Sequence, residues 1–222
     1  MKYKAPHIIT EGGVAYQLGK LRNQEIQYDF KKMLIYLDAK GKLLFGKKFK
    51  IHSEDQRILY KLCSYFIKDR DSCEKFGIDI EKGLLISGPV GCGKTSLMKL
   101  LRHMVPHQRP YEMIPCRNVV FGFNHLGYKT IEDYGNSCFF CFDDLGVETP
   151  GRFYGKDCNV MGEVLLSRYE LYLNTKRKIK THATTNLNAQ ELEERYGIRV
   201  RSRMRELFNL IAFDKESRDK RK

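Results

Sequence analysis

The chain has 222 residues, with 40 lysines and arginines against 27 aspartates and glutamates, which gives a formal charge of +13. Its 42% hydrophobic and 12% aromatic content argues against a disordered chain and fits one domain with an appendage or two small domains. No run of about 18 apolar residues is present and residues 1–19 lack the apolar stretch of an export signal, so a soluble, cytoplasmic globule without membrane contact is expected. Seven scattered cysteines, an odd number in a chain of this length, fit a reducing compartment. The basic excess points to some polyanion, because cations that neutralise phosphates release condensed counterions.

In chain order, Ile26, Phe30, Met33, Leu34 and Leu37 recur at helical spacing, Lys40-Gly41 reads as a turn, and Leu43 to Ile51 as a strand. Lys40, Lys42, Lys47, Lys48 and Lys50 crowd this stretch with no acid among them. Ser53-Glu54-Asp55-Gln56 reads as a capping box opening a helix with Ile58, Leu59, Leu62, Phe66 and Ile67 on one face. Strands and helices then alternate. Strands are expected at 83–87, 111–115, 138–142, 179–184 and 208–213, with helical stretches at 95–104, 119–126, 160–173, 189–196 and 198–207. That order predicts right-handed crossovers and a parallel five-stranded α/β sheet, with ligands beyond the carboxyl ends of the strands.

The first such end carries Gly88-Pro89-Val90-Gly91-Cys92-Gly93-Lys94-Thr95, a complete G-x-x-x-x-G-K-T phosphate loop between an apolar strand and a helix. Glycines let the loop turn its amides inward, and the helix start offers its positive dipole end to phosphate. Residues 88–95, together with Ser96, are the expected nucleotide contacts: Lys94 reaches the β- and γ-phosphates and Thr95 offers its hydroxyl to Mg²⁺. A later strand delivers Asp143 and Asp144. Asp143 is expected on the metal side and Asp144 as the base that polarises water, with Glu148 as a weaker substitute. Asn186, after the strand ending at Thr184, is placed to hydrogen-bond the γ-phosphate or orient the water. Arg199 and Arg203 lie four apart on one helical face, where an arginine offered to another subunit's γ-phosphate would stabilise the charge of phosphoryl transfer.

These motifs follow one another from Ile51 to Phe213, ending in Arg195-Tyr196-Gly197-x-Arg199-x-x-Ser202-Arg203-Met204. The sequence resembles AAA+ ATPases of the DnaA/DnaC clade, closest to DnaC-like replicative helicase loaders and IstB-like transposition helper ATPases. The resemblance implies a P-loop NTPase sheet flanked by helices, and ATP with Mg²⁺ as cofactors. It implies spiral self-oligomers with ATP at subunit interfaces, Arg203 as a finger acting in trans and Arg199 assisting it. It also implies single-stranded or duplex DNA and a replicative helicase or a transposase as partners. On this reading residues 1–51 form a partner-binding or DNA-binding extension, 52–213 the ATPase domain and 214–222 a charged tail. Only nine residues follow Phe213, so no C-terminal lid domain is expected.

A small-molecule kinase is a competing class, but such an enzyme needs an acceptor pocket and an arginine-bearing lid, and no insertion of that kind is visible. A nucleotide switch without turnover is the other alternative, suggested by Asp144 where such ATPases usually carry Glu. Cys138 and Cys141 are expected as buried thiols, and His103 and His107 as no zinc site because Pro106 interrupts their helix. Cys92, near a helix start that favours thiolate, is expected to be sensitive to alkylation.

Overall fold

The computed structural model describes residues 5–105, 108, 111–136, 138–175 and 179–220. It divides into two units: one runs to Ile80 and takes in the segment from Ser96, and the other comprises Glu81–Thr95 and the chain from Tyr111 onward.

In the first unit two short hairpins come first, β1 (Ile8–Glu11) with β2 (Val14–Gln17) and β3 (Gly19–Arg22) with β4 (Glu25–Tyr28). The second hairpin turns through Asn23 and Gln24, both at positive φ, the backbone that a two-residue turn needs to match strand twist. Ile26 therefore belongs to a strand rather than to the expected helix. Helix α1 (Phe30–Phe45) is capped by Asp29, whose carboxylate accepts the Lys32 amide, and buries Met33, Tyr36 and Leu37. The expected Lys40-Gly41 turn lies inside α1, and Leu43 to Ile51 form no strand. Gly41 is there for packing: the Phe49 ring seats where a side chain would project, and the helix stops only at Gly46. Helix α2 (Gln56–Ile67) follows a 3₁₀ turn, Ser53–Asp55, and makes no side-chain cap bond, so the expected capping box does not form. A short α3 (Arg70–Lys75) follows. His103 gives its backbone carbonyl to the Tyr36 hydroxyl at 3.3 Å. Pro106 and His107, on which the His103 spacing was read, lie outside the described residues.

The second unit is built on β5 (Gly83–Ser87), which leads through the glycine-rich loop into α4 (Lys94–Leu101). Then come β6 (Glu112–Pro115), α5 (Cys116–Leu126), α6 (Tyr128–Tyr134) and β7 (Phe140–Asp143). A small hairpin, β8 (Gly151–Phe153) with β9 (Lys156–Cys158), precedes α7 (Val160–Asn174), β10 (Thr181–Thr185), α8 (Ala189–Leu207) and β11 (Phe208–Ala212). The sheet order is β11-β5-β10-β7-β6, and every pairing is parallel. The expected five-stranded parallel sheet flanked by helices is thus present. Val119, Phe123, Met161, Leu165, Val200 and Met204, from α5, α7 and α8, pack in one core with Phe142 and Ala183 of the sheet. The two helical pieces expected after residue 188 form one helix kinked at Gly197, which has φ 82°, and the capping box that does form is Asn188 with Glu191. Cys141 is buried as expected, whereas Cys138 precedes β7 and is exposed. Among the described residues no helix is long and apolar enough to cross a membrane.

Two buried cations or would-be cations brace this sheet. Arg168 of α7 is fully buried; its Nε donates to Thr181 Oγ1 at 2.8 Å, and its Nη1 to the carbonyls of Asn136 and, at 2.8 Å, Cys138. Burial lowers its pKa to about 10, still charged at neutral pH. His182 accepts the Leu84 amide on Nδ1 at 3.1 Å, which requires neutral imidazole, and burial, with the charges of Lys180 and Arg168, lowers its pKa to about 3. The unfolded chain takes up this proton near 6.5 and the folded one near 3, so between those values the unfolded state holds more protons and acid removes stability. Urea unfolding should show stability falling by up to about 1.4 kcal/mol per pH unit below pH 6 from this group. The variant His182→Asn should flatten that slope.

Candidate functional site

The carboxyl ends of β5, β10 and β7 lie side by side, and register decides what meets there. Thr185 pairs with Ser87, and Ala183 pairs with Phe142, so Thr184 falls level with Asp143. The Thr184 hydroxyl donates to Asp143 Oδ1 at 2.6 Å and accepts the Asp144 amide at 3.0 Å. From the other side, Thr95 Oγ1 donates to the same carboxylate oxygen at 2.8 Å. Asp143 is therefore a buried carboxylate made tolerable by two hydroxyl donors, as a buried charge requires. Next in the chain, Asp144 takes a positive φ of 56° and is exposed. Thr185 Oγ1 donates to the Leu145 carbonyl at 2.7 Å and accepts the Leu187 amide at 3.0 Å, fixing the turn that carries Asn186.

Lys94 is only 4% exposed, and its ammonium is drawn into this cluster. It donates to the carbonyls of Gly88 at 2.7 Å and Pro89 at 2.8 Å and to Asn186 Oδ1 at 2.5 Å. The structure thus brings together Lys94, Thr95, Asp143 and Asn186 from three segments, with Gly88 to Gly93 around them and Ser96 in the first turn of α4. Val90 is exposed on the loop, and Cys92 is fully buried. Alkylation of Cys92 therefore requires the loop to open, which corrects the expectation of a readily modified thiol. The residues present suit a magnesium-nucleotide: a hydroxyl and a carboxylate 2.8 Å apart are oxygen donors for a hard cation, and a buried lysine stands beside a glycine loop at a helix start.

Arg199 and Arg203 do not join this cluster. Arg199 is exposed and has no hydrogen bond or ion pair among the described residues, while the Arg203 guanidinium lies 5.4 Å over the Tyr169 ring, whose hydroxyl donates to Glu206. Glu148 is not a spare base. Its side chain is 2% exposed; Oε2 accepts the Gly146 amide at 2.9 Å, Oε1 accepts the Tyr196 hydroxyl at 2.6 Å, and Arg195 pairs with it and donates to its backbone carbonyl. It braces the turn after Asp143 against α8. Thr184, Thr185 and this brace escaped the sequence reading; the cluster Thr181-His182-Ala183-Thr184-Thr185-Asn186, with three hydroxyls on a strand, was the available signal.

No family model matches the sequence. The chain is 30% identical over 129 residues to Cell division control protein 48 homolog C of Arabidopsis thaliana, across 54% of this chain and 15% of that protein. It is 30% identical over 105 residues to Ribosome biogenesis ATPase RIX7 of Saccharomyces cerevisiae, across 43% of this chain and 12% of that one. The chain thus spans a small part of both relatives' lengths. Among solved structures, the DnaC helicase loader superposes with a TM-score of 0.52 at 19% identity, over 74% of this chain and 92% of that chain. The likeness is one of fold: a five-stranded parallel sheet flanked by helices, with a glycine-rich loop between a strand and a helix. The DnaC helicase loader is a structural neighbour along nearly its whole length.

Replacing Glu148 by Ala should cost about 3 kcal/mol in urea unfolding, because it strands Arg195, the Tyr196 hydroxyl and the Gly146 amide together. A variant as stable as wild type would mean that the brace carries no load.

Proposed function

We propose that the protein binds and hydrolyses ATP as a self-oligomer on DNA, in the manner of a DnaC-type helicase loader. The observation that carries the reading is the convergence of Lys94, Asn186, Thr95 and Asp143 at adjacent strand ends on an AAA+ fold. In this reading Gly88 to Ser96 hold the phosphates, and Lys94 exchanges its carbonyl partners for phosphate oxygens. Thr95 and Asp143 hold Mg²⁺, which when bound neutralises charge on the phosphates. Asp144, exposed beside Asp143, takes the proton of the attacking water, and Asn186 orients that water. Arg199 and Arg203 serve a neighbour's nucleotide, a role supported by the lack, among the described residues, of any bond from either arginine's side chain to the strand-end cluster. For DNA the support is narrower. Lys40 and Lys42 are already paired with Glu11 and Asp38, at 2.8 and 2.6 Å, which leaves Lys47, Lys48 and Lys50 of that group.

ATP turnover with and without single-stranded and duplex DNA tests this reading. Lys94→Ala and Arg203→Ala should each lose turnover by about 100-fold or more, and mixing the two should restore part of it at interfaces that pair an intact loop with an intact arginine. Full turnover by Arg203→Ala, or no recovery on mixing, would refute the trans arginine. DNA binding should weaken steeply between low and moderate salt, and a flat response would remove the lysines as the contact.

A further inference from the structure

The last described segment does not leave the fold. The Phe213 amide donates to the Ser87 carbonyl at 2.7 Å, so the chain passes beside the start of the phosphate loop. Asp214 then makes a turn: its Oδ1 accepts the Glu216 amide and its carbonyl the Ser217 amide, both at 3.1 Å. This reversal brings Asp219 and Lys220 onto the loop. The Lys220 amide donates to the Gly91 carbonyl at 3.1 Å, and its ammonium donates to the Cys92 carbonyl at 2.9 Å while lying 5.4 Å over the Phe213 ring. The Asp219 carboxylate rests directly against Gly91, in the space a side chain there would fill. Gly91 has φ 82°, so the loop reaches this contact in a conformation that glycine adopts readily.

Two features make this more than tail packing. First, the six charges from Asp214 to Lys220 are three acidic and three basic, so the docked part of the tail has no net attraction for a polyanion. Second, a carboxylate has been placed on a loop whose amides and lysine collect anions, while Lys94 is folded back onto Gly88, Pro89 and Asn186. A nucleoside triphosphate brings several negative charges to the same loop, and Asp219 repels them at close range.

We propose that Asp214 to Lys220 form an autoinhibitory strap that competes with the phosphates of a nucleoside triphosphate for the loop. The strap rests on the reading of residues 88–95 as the nucleotide site. Lys220 latches the loop through two carbonyls, and Asp219 supplies the competing charge. Nucleotide binding lifts the strap, and the strap weakens that binding.

The test is titration of the full chain, of a chain ending at Phe213 and of the full-length variant Asp219→Asn with a fluorescent ATP analogue. Labelling of Cys92 by a thiol reagent is followed by mass spectrometry without nucleotide. The shortened chain should bind about fivefold to tenfold tighter, and Asp219→Asn, which keeps the segment, about twofold to fivefold tighter. Cys92 labelling should speed up several-fold in the shortened chain, since the cap on its carbonyl is gone. Equal or weaker affinity in both altered forms would overturn the strap while leaving the nucleotide site intact. Failure of every form to bind the analogue would overturn the nucleotide reading and the competition with it. Asp219→Asn decides the matter if the shortened chain does not fold.

Discussion

Asp143 is a buried carboxylate held between two threonine hydroxyls, one from the helix after β5 and one from β10, and the rest of the site hangs on that bond pattern. It exists only because parallel strands end in register. A slip of one residue in β10 would turn Thr184 to the opposite face and leave Asp143 and the Asp144 amide without their shared partner. The same strand end fixes Asn186 against Lys94, so the partners of Asp143 and of Lys94 are set by one element. A parallel sheet gives this geometry at low cost because its crossovers bring every strand's carboxyl end to one edge.

Several of the 40 lysines and arginines are used inside the fold. Lys94 faces the loop, Arg168 holds carbonyls behind the sheet, Arg195 pairs with Glu148, Lys82 donates to the Arg205 carbonyl and Lys220 latches the loop. Apart from Lys94, these cations hold partners within the fold itself, and removing a buried one strands the groups it satisfies. Arg199, by contrast, is exposed and makes no side-chain hydrogen bond or ion pair among the described residues.

The glycine-rich loop, the paired aspartates and the parallel character of the five-stranded sheet could be read from the sequence because each has a local signal: a glycine pattern, an apolar run ending in acid, an alternation of periods. Where the reading failed, distant contacts decided. Gly41 looked like a turn residue and is a helical packing position, set by Phe49 eight residues on. Strands of four residues, such as Glu25–Tyr28, are too short for a period of two to stand out, and Ile26 was therefore counted on a helix. Glu148 looked like a possible base and turned out to be bound on both oxygens, by Gly146 and Tyr196. The tail, expected only as a charged segment, is docked instead: the Lys220 amide donates to the Gly91 carbonyl and its ammonium to that of Cys92, 128 residues earlier in the chain.

The proposed activity requires the strand-end cluster to be a magnesium-nucleotide site. Calorimetric titration of ATP into the full chain, with Mg²⁺ and then with a chelator, tests it most directly, using Asp143→Asn alongside. The account predicts binding at least about tenfold tighter with Mg²⁺ for the wild type and loss of that difference in Asp143→Asn. Equal affinity with and without Mg²⁺ in the wild type, or an undiminished magnesium effect in Asp143→Asn, would contradict it.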